Sequence, residues 1–98
     1  MDEFCSIELP ENMTIGNIKH CEAQLFKLLV KKKALRIDPK DLRQIDSSGV
    51  QLLFFLLIEA KKQDMDVSWL NSNDTLNTVA RKLGFIQLLK TTDEQDLK

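Results

Sequence analysis

The sequence of 98 residues has one histidine, two cysteines and no surplus of positive charge, and each scarcity closes off a class of function. His20 has no serine or cysteine nucleophile spaced to use it, so it reads as a surface or boundary residue. Cys5 and Cys21 form no Cys-x-x-Cys pair and lie in no histidine cluster, a pattern that indicates neither a disulfide framework nor a zinc site. Free, mostly buried thiols are expected. Fourteen basic residues against fifteen acidic ones leave a net charge of -1, without the positive field that binding to nucleic acid or an anionic membrane requires. No apolar run reaches the length of a bilayer span, and Met1-Asp2-Glu3-Phe4-Cys5 is acidic where a secretory signal is basic. A cytoplasmic protein with no direct membrane insertion is expected. There is no glycine-rich nucleotide loop, no Ser/His/Asp set and no Cys/His pair, so no catalytic residue, cofactor or enzymatic mechanism is assigned. Asp38 and Asp46 resemble paired carboxylates or magnesium ligands only superficially, because a metal site needs more convergent oxygens, and none is expected.

What remains is a chain that is 43% apolar and 30% charged, enough to fold around one core and keep its surface wet. Residues 1–98 read as one domain, with 91–98 a polar, frayed tail. Phe4 to Leu9 alternates apolar and polar residues as an edge or hairpin strand does, and Pro10-Glu11-Asn12 breaks it. From Ile15 the residues Ile18, Cys21, Leu25, Leu28 and Leu29 fall at helical spacing, with Thr14 or Asn17 as the cap and Lys31-Lys32-Lys33 at the negative end of the dipole. Ala34 to Asp38 reads as a strand stopped by Pro39.

The run Val50 to Ala60 is the most apolar segment, and its length and Ser-Ser-Gly start predict a helix buried on most sides. Phe54 and Phe55 are adjacent in it and must point in different directions, so one is expected in the core and the other near the surface. Val67-Ser68-Trp69-Leu70 is the next strand, with Trp69 a core or sheet-end aromatic. Leu76, Val79, Ala80 and Leu83 form a last helical stripe capped by Gly84, with Phe85, Leu88 and Leu89 packing back. Helices of crossover length between strands imply a mostly parallel sheet.

Asp46-Ser47-Ser48-Gly49-Val50 lies where the chain enters the buried helix, at unpaired backbone N–H groups and the positive end of the dipole. Such a place accommodates a phosphate, and phosphorylation of Ser47 would add nearly two negative charges that a partner fitted to a neutral hydroxyl could not accept. Gly49 lets the backbone approach closely or bend, and Asp46 orients the hydroxyl or repels the phosphate. Taken without its context, Ser47 reads first as a helix cap.

The context changes that reading. The order strand, amphipathic helix, strand, Ile45-Asp46-Ser47-Ser48-Gly49-Val50, buried helix, Val67-Ser68-Trp69-Leu70, and a final helix ending at Leu83-Gly84-Phe85 resembles the bacterial STAS domain, the family of anti-sigma factor antagonists, over roughly residues 4 to 90. The resemblance implies an α/β fold: a STAS-like layer with a mostly parallel, four- to five-stranded sheet and helices packed mainly on one face. It implies that Ser47 is phosphorylated by an anti-sigma factor or related serine kinase and restored by a phosphatase. The unmodified domain would bind that partner and the phosphorylated one would release it, through a surface of Asp46, Ser47, Ser48, Gly49, Val50 and Thr14. Many members carry Gly-Glu-Leu-Asp where this chain has Pro10-Glu11-Asn12-Met13-Thr14, and Thr14 occupies the aspartate position. Other features look closer to stand-alone STAS proteins of chemosensory signalling. A second implication is a constitutive subunit of a bacterial lipid-transport ABC complex, in which Ser47 would be mainly a cap. Binding of a nucleotide or small ligand has no phosphate loop to support it.

Overall fold

The computed structural model describes residues 4–31 and 33–84. In the strand Ala34–Asp38, Leu35 and Ile37 are fully buried while Arg36 between them is exposed, the alternation expected of a strand with one face in the core. This strand, β3, is the centre of a three-stranded sheet between β1 (Phe4–Glu8) and β5 (Val67–Trp69), and both pairings are parallel. The remaining elements are β2 (Asn12–Met13), α1 (Ile18–Phe26), β4 (Gln44–Ile45), α2 (Ser47–Lys62) and α3 (Asp74–Lys82), with a short 3-10 helix, Lys27–Lys31, after α1. The domain is thus mixed α/β with parallel pairing throughout the described residues.

One feature differs from the sequence expectation. Among the described residues the five strands do not form one sheet: β2 and β4 pair with each other as a separate two-stranded sheet, Met13 opposite Ile45. Two-residue strands carry no periodicity, so the pattern could not announce them. The first strand is an edge strand paired in parallel with β3, which removes the hairpin alternative. The packing of Phe85, Leu88 and Leu89 and the tail 91–98 lie outside the described residues.

The helices follow their patterns with local changes. Helix α1 begins at Ile18, after a turn in which the Asn17 N–H donates to the Thr14 carbonyl at 2.9 Å and the Thr14 N–H donates to Asn17 Oδ1 at 3.0 Å. Asn17 stands at the cap position, yet its side chain serves the turn and not a helical amide, and its Nδ2 donates to the Asn12 carbonyl at 2.8 Å. The regular helix stops at Phe26 and tightens into the 3-10 segment, a common way for a helix to end, which still buries Leu29.

Helix α2 buries Val50, Leu52, Leu53, Leu56, Leu57 and Ala60, confirming the segment buried on most sides. Each fully buried leucine contributes roughly 1.5–3 kcal/mol of transfer free energy, so α2 dominates the core. Phe54 is half-buried against that core, whereas Phe55 is 51% exposed, its ring centroid 5.8 Å from that of Phe26. Trp69 is half-buried and packs against the core, as its strand position suggested. In α3, Leu76 and Ala80 are buried and Val79 packs beside them, but Leu83 is 41% exposed because the helix has already ended at Lys82. Gly84 follows at φ 82°, the left-handed conformation that closes the helix and that glycine adopts without strain.

Asn73, read from the sequence only as part of a capping-rich loop, joins two parts of the fold. Its Oδ1 accepts from the Leu76 N–H at 2.8 Å and caps α3, while its Nδ2 donates to the carbonyls of Pro39 and Leu42 at 2.7 and 3.0 Å. The start of α3 is thereby fixed to the loop after β3.

Candidate functional site

The pairing of β2 with β4 decides what stands beside Ser47. With Met13 opposite Ile45, the residues that follow, Thr14 and Ile15 on one chain segment and Asp46 and Ser47 on the other, emerge together from the small sheet. The Asp46 N–H donates to the Met13 carbonyl at 3.3 Å and continues that ladder, and the Ile15 N–H donates to Asp46 Oδ2 at 2.9 Å across 31 residues of sequence.

Asp46 is extended at the cap of α2, with φ -114° and ψ -170°, so its carboxylate can turn back over the helix start. Oδ1 accepts from the N–H groups of Ser48 at 3.0 Å and Gly49 at 3.2 Å, and from the Ser48 hydroxyl at 2.5 Å. The Ser48 hydroxyl, the Ile15 N–H and the two helix amides together hold the Asp46 carboxyl below the usual carboxylate range, against the opposing effect of burial. Asp46 is therefore an ionised cap that orients Ser48, not Ser47.

This arrangement corrects the reading of Ser47 as the cap. Ser47 is the first residue of α2, it is exposed, and among the described residues its hydroxyl has no hydrogen-bond partner. The fold thus leaves the Ser47 Oγ in solvent at the positive end of the most buried helix. Ser48 is half-buried and its hydroxyl is occupied.

Gly49 and Val50 are buried, Val50 completely, so they present nothing to a partner and act by seating the helix. A side chain at position 49 would bring a Cβ to 2.6 Å from Ile45 Cγ1 and closer still to the Met13 carbonyl oxygen. Close approach, the first of the two roles expected for Gly49, is the one it fills. Thr14 is half-buried in the turn adjoining Asp46.

Exposed apolar side chains stand before this point and farther along α2. Ile15 is 73% exposed, and Phe55 and Ile58 are exposed on α2. Ser48, Gln51, Phe55 and Ile58 are spaced to share one face of the helix, and with Glu22 of α1 they line a shallow open groove. Ile15 is a site residue that sequence reasoning missed, because an isoleucine at a helix start reads as core until its exposure is known.

A second polar cluster lies at the ends of β1, β3 and β5. Asp38 Oδ1 accepts from Asn71 Nδ2 at 2.8 Å and from the Lys40 N–H at 3.0 Å, and the Lys40 ammonium stands 2.9 Å from Glu8 and 3.7 Å from Asp38. The Asn71 hydrogen bond, aided by Lys40 and opposed by burial, lowers the Asp38 pKa. Asp38 and Asp46 are each satisfied separately, and among the described residues no group of three or more histidine, cysteine, aspartate or glutamate side chains could hold a metal ion. His20 is exposed on α1, Cys21 is buried and Cys5 half-buried, both as free thiols. No helix among the described residues is long and apolar enough to cross a membrane.

The STAS domain family model matches residues 1–96, and the chain belongs to that family. Membership makes it a protein-interaction or regulatory module. No curated protein sequence matches the chain significantly.

Proposed function

We propose that this STAS domain is a phosphorylation-switched docking module of the anti-sigma factor antagonist type, working in a chemosensory or other cytoplasmic signalling pathway and not as an enzyme. The observation that carries the reading is the division of labour between neighbours: Asp46 takes the cap, and Ser47 keeps an exposed, uncommitted hydroxyl at the helix start. A serine kinase partner transfers the γ-phosphoryl group of ATP to Ser47 Oγ; the new O–P bond forms as the bond to ADP breaks, and the kinase takes the hydroxyl proton. The phosphate brings nearly two negative charges to a surface otherwise made of Ile15, Thr14, Ser48 and the exposed side of α2. Unmodified protein docks to an anti-sigma factor or related kinase, phosphorylated protein leaves it, and a phosphatase resets the switch. No nucleic acid takes part.

Incubation with a partner kinase and ATP, followed by mass-spectrometric mapping, is expected to locate one phosphate on Ser47 and none on Ser47→Ala protein. Equal labelling of the two proteins would overturn the reading. The transporter-subunit alternative treats Ser47 mainly as a cap, a role that Asp46 fills here. It predicts co-purification with an ABC ATPase that a Ser47→Asp change leaves intact.

A further inference from the structure

We infer that a phosphate on Ser47 also acts inward: it displaces the Asp46 carboxylate from its donors and thereby releases the Thr14–Asn17 turn from α2. The inference rests on the reading of Ser47 as a phosphorylation site and concerns what the modification does to the fold. Asp46 has two separate tasks, with Oδ1 on the Ser48 and Gly49 amides and Oδ2 on the Ile15 N–H at 2.9 Å. A phosphate on the first residue of the helix competes for the same early amides and places a second anion against an ionised carboxylate. Both effects push the Asp46 side chain away.

Among the described residues the Ile15–Asp46 bond is the side-chain hydrogen bond that joins the turn to the start of α2, and the turn is otherwise carried by β2 before it and by α1, which packs on α2, after it. Ile15 is 73% exposed, so no apolar burial retains it. The bonds between Thr14 and Asn17, and from Asn17 Nδ2 to the Asn12 carbonyl, tie the turn to itself and to β2, not to α2. Loss of the Oδ2 bond leaves the turn intact and lets the Ile15 segment move between its anchors in β2 and α1, away from Asp46 at the start of α2. Phosphorylation would then move the exposed Ile15 relative to the helix start in addition to charging that start.

The test uses the full chain with phosphoserine installed at position 47 during translation, so that no kinase is needed. Amide hydrogen exchange is read by NMR at Ile15, with Leu9 and Leu35 as references, since their N–H groups donate to the backbone carbonyls of Asp38 at 2.9 Å and Asp66 at 2.7 Å beside the large sheet. The Ile15 amide is expected to exchange about tenfold faster in the phosphorylated protein, with the references unchanged. In Asp46→Asn protein the phosphate is expected to add no comparable acceleration. Equal protection of Ile15 with and without phosphate, or acceleration shared by Leu9 and Leu35, would overturn the inference. So would an undiminished response in Asp46→Asn. A kinase that fails to label Ser47, alongside an Ile15 amide that responds, would sink the functional reading and leave the coupling standing.

Discussion

Asp46 and Ser47 are adjacent and polar, yet the fold asks different things of them. Replacement of Asp46 by alanine removes the α2 cap and the tie to Ile15, and should cost at least about 1 kcal/mol. Ser47→Ala removes an exposed hydroxyl that has no partner among the described residues and should stay within about 0.5 kcal/mol of the natural protein. Urea unfolding midpoints at unchanged slope check both. Gly49→Ala forces backbone or side-chain shifts at Met13 and Ile45, and a loss of about 1–3 kcal/mol is expected in the same assay. The sequence marked this pentapeptide as the place of interest but assigned its polar roles differently. Aspartate and serine are both strong caps, and only the extended backbone at Asp46, set by its pairing to Met13, decides between them.

At the scale of elements, legibility followed length. Helix α2, strand β3 and the stripe of Leu76, Val79 and Ala80 in α3 each carry enough residues for a period to show. Strands β2 and β4 do not, and the bond from Ile15 to Asp46 is a long-range contact that neither local sequence signals. Two carboxylates tie elements together and contribute to stability in acid. Asp38 joins the ends of β3 and β5 through Asn71, and Asp46 joins α2 to the turn before α1. Both have lowered pKa values in the fold, so in the window below the ordinary carboxylate value of about 3.9 the unfolded chain binds more protons than the native one. Their contribution is fully present above that window and is lost as pH falls through the folded values. Thermal melts are therefore expected to show a steep loss of stability on acidification below about pH 4, shallower in Asp46→Asn and in Asp38→Asn.

For the molecule as a whole, a net charge of -1 means that one phosphate changes the total charge by more than the resting value. The family-level architecture was visible in the order of elements, while the division into two sheets and the exposure of Ile15, Phe55 and Ile58 were not. On the proposed reading, a partner covers these side chains and has no complement for a dianion at Ser47. The most direct measurement is a calorimetric titration of the partner kinase with unmodified protein and with protein carrying phosphoserine at position 47. Binding to the unmodified form, weakened by about a hundredfold when the phosphate is present, is the predicted result; equal affinity for the two forms would contradict the switch.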